Sequence, residues 1–310
     1  MRRPPQHWRV AGASRPGRSH LRTGMPCQDA HRVGIQWANG EEWLLVVASD
    51  GAGSASHAEI GSRVIVDTVF DVLEEQVNSP DRSPLDTASL MLAAEEARQA
   101  LVRTAREEAL NLRDLAGTLL IAAVGTQRAV LAQLGDGAMA YRARGQWHCP
   151  IWPCGECHEF LRCGAIARLQ TRTLAMPIDT LGVFTDGLEK LVLQFDTQTV
   201  HAPFFERLIP VLQAAPPGTS AERDDGLGRY LGNEAIGERT DDDTTLVLAW
   251  RPDVDFQSAP EAIGLGAGCA GRGAGGRIPG GRAAQPTDRC QGSMMPPGGP
   301  GPDCTAHPRD

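Results

Sequence analysis

Apolar residues change their spacing several times along this chain of 310 residues, and each change marks an element boundary. Residues 8–13 read as an opening strand, and 29–37 alternate roughly between apolar and polar positions. From Trp43 to Ser49 almost every position is apolar, which predicts a strand covered on both faces and stopped by Asp50-Gly51. Between Glu59 and Gln76 the spacing becomes three and four: Ile60, Val64, Ile65, Val69, Val72 and Leu73 line one buried helix face. The segment 78–84 breaks that helix. A second one is predicted from Leu85 to Leu112, with Leu90, Ala93, Ala94, Ala97, Leu101 and Ala105 on one stripe.

Short apolar runs return at Leu119–Val124, Ala129–Leu134 and Ala138–Arg142, parted by Gly125-Thr126 and Asp136-Gly137. They predict an antiparallel meander with tight turns. Strands are expected again at Leu169–Leu174 and Thr180–Thr185, then mostly helical pattern over 187–233 broken near Pro216-Pro217, and a final strand at Thr244–Trp250. Strands, two helices, strands, helices and a strand make an α+β domain with a mostly antiparallel sheet. Residues 251–310 hold 22 Gly and Pro in 60 positions, against 35 in the 250 before them. One ordered domain over 1–250 and a disordered Gly/Pro-rich tail over 251–310 are expected.

Composition removes several function classes. No apolar run approaches the roughly 18 residues of a membrane span, so no membrane association is expected. A net charge of −8 disfavours a nucleic-acid partner. The opening MRRPPQHW carries no apolar segment of a secretory signal, and eight irregularly spaced cysteines make no disulfide framework. A cytoplasmic location is the expectation.

One motif recurs. Apolar strands run into Asp50-Gly51, Asp136-Gly137 and Asp186-Gly187; Asp241-Asp242-Asp243 opens another strand, and Asp29 stands where a further one begins. A single Asp-Gly is ordinarily a hairpin turn. After Asp50-Gly51 and Asp186-Gly187, however, the pattern is helical, so no hairpin explains them. Converging strand ends would crowd four or five carboxylates, which repel and hold protons unless a cation intervenes. Such hard oxygen donors suit Mg²⁺ or Mn²⁺, and a pair of these ions activates water and clamps a phosphoryl group.

These residues carry a resemblance to the type 2C, metal-dependent Ser/Thr protein phosphatases, especially their shorter bacterial branch. Its carriers are Gln28-Asp29-Ala30-His31, Ser49 to Ser54 (SDGAGS), Gly117-Thr118, Leu134-Gly135-Asp136-Gly137, Phe184-Thr185-Asp186-Gly187 and Asp242-Asp243-Thr244-Thr245, in the family's order over residues 8–250. The resemblance implies a four-layer αββα fold, a β-sandwich flanked by helices with metals at one end. It implies that Asp50 bridges two Mg²⁺ or Mn²⁺ ions, that the Gly51 carbonyl binds one of them, and that Asp186 and Asp242 complete the first site. Asp136 with Asp186 would hold a weaker third ion, Asp29 would serve the second, and Arg22 would bind phosphate. Phosphoserine and phosphothreonine in proteins would be hydrolysed by direct attack of metal-bound hydroxide, and the implied partners are phosphoprotein substrates and a Ser/Thr kinase.

The chain also departs from the family pattern. Gln28 stands where many members carry Glu, Ala52 where eukaryotic members carry a proposed acid His, and Lys190 where many carry a third-metal carboxylate. These losses leave open a second reading, a module that binds a phosphorylated partner without turnover. Cys149, Cys154, Cys157 and Cys163 with His148 and His158 could close a zinc site, or be small residues in a strand connection. A cysteine phosphatase is disfavoured because no Cys-x5-Arg follows a strand. A Ser/His/Asp triad is disfavoured because no Gly-x-Ser-x-Gly elbow is present.

Overall fold

The computed structural model describes residues 7–38, 40–79, 84–153, 161, 165–252 and 254. Contacts along the chain divide Met1–Gly264 from Leu265–Asp310, and every described residue belongs to the first unit. The tail expected over 251–310 lies outside the described residues, apart from Arg251, Pro252 and Val254.

Two five-stranded antiparallel sheets form the centre. The first orders β2 (Ala30–Ala38), β3 (Glu41–Ser49), β4 (Leu119–Val124), β5 (Ala129–Leu134) and β8 (Gln170–Leu174). The second orders β1 (Arg9–Arg15), β12 (Thr244–Trp250), β9 (Thr180–Phe184), β6 (Ala138–Ala143) and β7 (Gln146–His148). Alternation along β3 explains its unbroken apolar run. Leu44, Val46 and Ala48 face the opposite sheet, with Leu181, Val183, Val247 and Ala249 across from them. Trp43, Leu45 and Val47 face outward onto α2 (Ala58–Asn78) and α3 (Thr87–Glu107) through Ile65, Val69, Leu73, Leu90, Ala97 and Leu101. Each fully buried Leu or Val contributes roughly 1.5–3 kcal/mol, so a central strand apolar on both faces is the strongest anchor a sandwich can have.

The outer face of the second sheet is covered by the C-terminal helices. Phe184, Leu246 and Leu248 pack with Phe204 and Phe205 of α5 (Ala202–Glu206), Ile209 and Leu212 of α6 (Ile209–Ala214), Leu227 and Leu231 of α7 (Ala221–Leu231), and Ile236 of α8 (Glu234–Gly237). Helices, sheet, sheet, helices is the four-layer order the sequence led us to expect.

Three expectations need correction. The second long helix stops at Glu107, not Leu112: Ala109 takes φ 54, and the Leu110 N–H turns back to the Ala105 carbonyl at 2.8 Å. The run over 119–142 is not a meander. β4 pairs with β5, but β6 leaves for the other sheet and pairs with β7 and β9. Gly135 (φ 87) and Gly137 (φ 79) make that crossing, and a Cβ at Gly137 would stand 2.9 Å from the Phe184 carbonyl oxygen. Finally, 187–233 is broken more often than expected, into α4 (Glu189–Val192), the small hairpin β10 (Leu193–Gln194) and β11 (Thr199–Val200), and then α5 to α7.

Candidate active site

Strand register alone brings the acidic residues to one end of the sandwich. Ala30 pairs with Ser49, so Asp29 and Asp50 leave adjacent strands at the same edge. Phe184 pairs with Ala138 on one side and Leu246 on the other, which puts Asp186, Asp136 and the Asp241–Asp243 run at the matching end of the second sheet. The Asp50 carboxyl lies close enough to those of Asp29 and Asp186 to interact with both, and Asp242 adds its charge to both Asp50 and Asp186.

Backbone contacts hold Asp50 in place. Its N–H donates to Thr118 Oγ1 (2.9 Å), the Thr118 N–H donates to its carbonyl (2.8 Å), and Ser49 Oγ donates to the Thr118 carbonyl (2.7 Å). That ladder explains the Gly117-Thr118 signature. Gly51 bridges Gly117 and donates its N–H to the Gln28 carbonyl at 3.2 Å, while α2 begins directly behind it. A Cβ on Gly51 would meet the Ala58 Cβ at 2.5 Å and its carbonyl oxygen at 2.8 Å. Only glycine fits.

Burial and mutual repulsion raise the proton affinity of these groups. Asp29 is buried, and its carboxyl is pushed up to about 7, chiefly by burial and further by Asp243; hydrogen bonds, including one donated by Thr185 Oγ1 at 2.7 Å, pull the other way. Asp50 is held well above the usual carboxylate range by burial first, then by Asp29, Asp186 and Asp242. Asp186 rises to about 6 through burial, Asp242 and Asp136. Asp29 Oδ1 and Asp186 Oδ1 are buried without any hydrogen-bond partner. Among the described residues no three His, Cys, Asp or Glu side chains already stand as a finished metal cage.

Sequence reasoning placed Asp243 and Thr185 only as neighbours of the metal-binding aspartates, and it missed His20 and Glu189. Asp243 is almost fully buried and is the hub of the segment leading to Asp29. It accepts the Gly17 N–H (2.7 Å), the Gln28 N–H (2.5 Å) and a hydrogen bond with His20 Nδ1 (2.8 Å). His20 comes from α1 (Arg18–Thr23), a helix with no buried residue and hence no apolar pattern to betray it. Thr185 links two strands, taking the Thr245 N–H (2.9 Å) while donating to Asp29. Glu189 accepts the Gly137 N–H at 2.7 Å and is pushed up to about 7 by burial, with Asp186 and Asp136 adding to it. It supplies a carboxylate one residue before Lys190, and its only signal in the sequence was its place three positions after Asp186. Arg22 lies exposed on α1 with Nη2 3.8 Å from Asp241 Oδ2.

The competing chemistry finds less support. Cys149 is free, and burial pushes its thiol up to about 12, the opposite of an activated nucleophile. Cys154, Cys157, His158 and Cys163 of the zinc expectation lie outside the described residues.

A model of the family described as protein phosphatase 2C matches residues 16–231. This chain belongs to the protein phosphatase 2C family. It is a protein phosphatase enzyme by that membership and by its likeness to the serine/threonine-protein phosphatase 3 of Escherichia coli (strain K12). The two are 32% identical over 248 residues, which cover 78% of this chain and 98% of that protein. Among solved structures, a bacterial serine phosphatase superposes with a TM-score of 0.52 at 16% identity, covering 80% of this chain and 99% of the other. The Stp1 serine/threonine phosphatase of Staphylococcus aureus gives 0.51 at 17%, covering 82% and 99%. These two likenesses speak to fold. No helix among the described residues is long and apolar enough to cross a membrane.

Proposed function

We propose that the strand-end acid cluster hydrolyses phosphoserine and phosphothreonine in proteins with the help of Mg²⁺ or Mn²⁺. One observation carries this: Asp29 is buried, Asp50 and Asp186 are half-buried beside it, all three carboxyls are raised by burial and by one another or by neighbouring acids, and two carboxylate oxygens are left without partners. Such a cluster is costly alone and favourable around divalent cations, and all its donors are hard oxygens. The residues therefore fit the metals. Asp50 would be shared between two ions, with the Gly51 carbonyl, Asp186 and Asp242 on the first and Asp29 serving the second. Asp136 and Asp186 would hold a weaker third ion, where Glu189 offers a further carboxylate. Bound there, the cations neutralise phosphoryl charge and lower the pKa of water.

The chain's own groups do the rest. The Thr118 ladder and the Thr185 hydroxyl fix Asp50 and Asp29 before substrate arrives, so little reorganisation remains for the reaction. Arg22 is available to bind phosphate, since an exposed ion pair as long as its contact with Asp241 is worth little and breaks easily. Ala52 offers no proton, so the departing Ser or Thr oxygen takes its proton from solvent. Removing phosphate presupposes a Ser/Thr kinase that adds it, the proposed partner in a cytoplasmic signalling pathway. The test is phosphate release from a phosphopeptide with Mn²⁺. Asp50→Ala is expected to lower turnover on the order of 100-fold or more. Turnover equal in both proteins, or untouched by a chelator, overturns the proposal.

A further inference from the structure

A cleft of about 500 Å³ lies between α4, α5 and the α7–α8 corner. Its floor is apolar: Phe204 and Ile236 are buried there, and Tyr230 stands edge-on to Phe204 with ring centroids 6.3 Å apart. Its rim is cationic. Lys190, Arg207 and Arg239 are all exposed, and no Asp or Glu lines the cleft. Among the described residues none of these three has a carboxylate within 4.0 Å, whereas Arg22, Arg32, Arg98, Arg113 and Arg142 all do.

An unpaired cationic rim is unexpected on a chain of net charge −8, and its position gives it a use. Lys190 directly follows Glu189, on the helix that continues from the Asp186–Leu188 turn. Arg239 lies on the short link between α8 and Asp242. The cleft is therefore continuous in chain with two sides of the acid cluster. An acidic substrate approaching that cluster meets repulsion, and a cationic flank offsets it. The rim cations come from three separate places in the chain, α4, the residue after α5 and the link after α8, around an apolar floor. That arrangement suits an extended peptide with an apolar side chain and acidic neighbours better than a free phosphate ion.

We propose that this cleft docks an acidic segment of the phosphoprotein substrate, next to the phosphorylated residue. The proposal rests on the phosphatase reading of the acid cluster for the identity of its occupant, and its test separates the two. A fluorescein-labelled peptide rich in Glu around one leucine, and a twin with Gln at each Glu, are titrated by anisotropy against the wild-type chain and the double variant Arg207→Glu/Arg239→Glu. The Glu peptide is expected to bind wild type about tenfold tighter than its twin, to weaken with salt, and to lose that preference in the double variant. Should charge reversal unfold the chain in a thermal melt, Arg207→Ala/Arg239→Ala is expected to lose the same preference in part. Equal affinity for the Glu peptide in wild type and folded variant overturns the docking proposal, as does tighter binding of an oligonucleotide than of the Glu peptide. Absence of phosphate release from a phosphopeptide, measured in parallel, counts against the acid cluster's role alone.

Discussion

At the scale of single residues, Asp243 shows how a carboxylate can matter without touching the chemistry. The three consecutive aspartates look equivalent in the sequence, yet Asp241 and Asp242 are exposed while Asp243 is 2% exposed. Its two oxygens collect the Gly17 and Gln28 N–H groups and His20, so one side chain closes the whole segment that delivers Asp29. Replacing it with Ala would bury two unsatisfied N–H groups, each costing roughly 1–3 kcal/mol. Asp243→Ala is expected to lose about 2–4 kcal/mol in urea unfolding, with Asp243→Asn losing less because one acceptor oxygen remains. A midpoint unchanged in Asp243→Ala would contradict the anchoring role.

At the scale of elements, glycine spacing decides how closely the strand ends approach. A Cβ on Gly187 would collide with the Asp243 carbonyl oxygen, a backbone atom with no rotamer to give way, so the turn carrying Asp186 can lie against the start of β12 only with glycine there. Gly187→Ala is expected to push that turn outward, costing roughly 1–3 kcal/mol and lowering turnover more than tenfold, read by thermal melt and phosphate release. Much of this level was legible beforehand. β3 was plain because both of its faces are covered, and α2 because one face is apolar. The end of α3 was not, since Ala109 occupies a left-handed position that usually announces itself as glycine. The crossing from β5 to β6 was hidden because Asp136-Gly137 is also the commonest spelling of a hairpin. α1 left no trace, for it buries nothing. The site followed the same rule: acids at strand ends and the hydroxyl of Thr185 beside them were visible, whereas His20, Glu189 and the anchoring part of Asp243 depend on contacts between segments far apart in sequence.

At the scale of the whole molecule, a fold that gathers unpaired acids links its stability to protons and to metal. Asp29 at about 7 and Asp186 at about 6 stand above their ordinary value of 3.8, so the folded chain binds more protons than the unfolded one between those limits. Stability from these groups is therefore greatest at low pH within that window and declines as pH rises through the folded values. Without metal, the melting temperature is expected to fall as pH rises from about 4 to about 7 and to level off above that, and Asp29→Asn to flatten the fall. Divalent ions compete with the same protons. Mn²⁺ should bind more tightly as pH rises, raise the melting temperature most at the alkaline end, and release protons measurable by calorimetry in buffers of different ionisation heat. Melting curves with identical pH slopes in chelator and in Mn²⁺ would mean that the crowded carboxylates are not where the metal binds, and Asp29, Asp50 and Asp186 would need another reason for standing together.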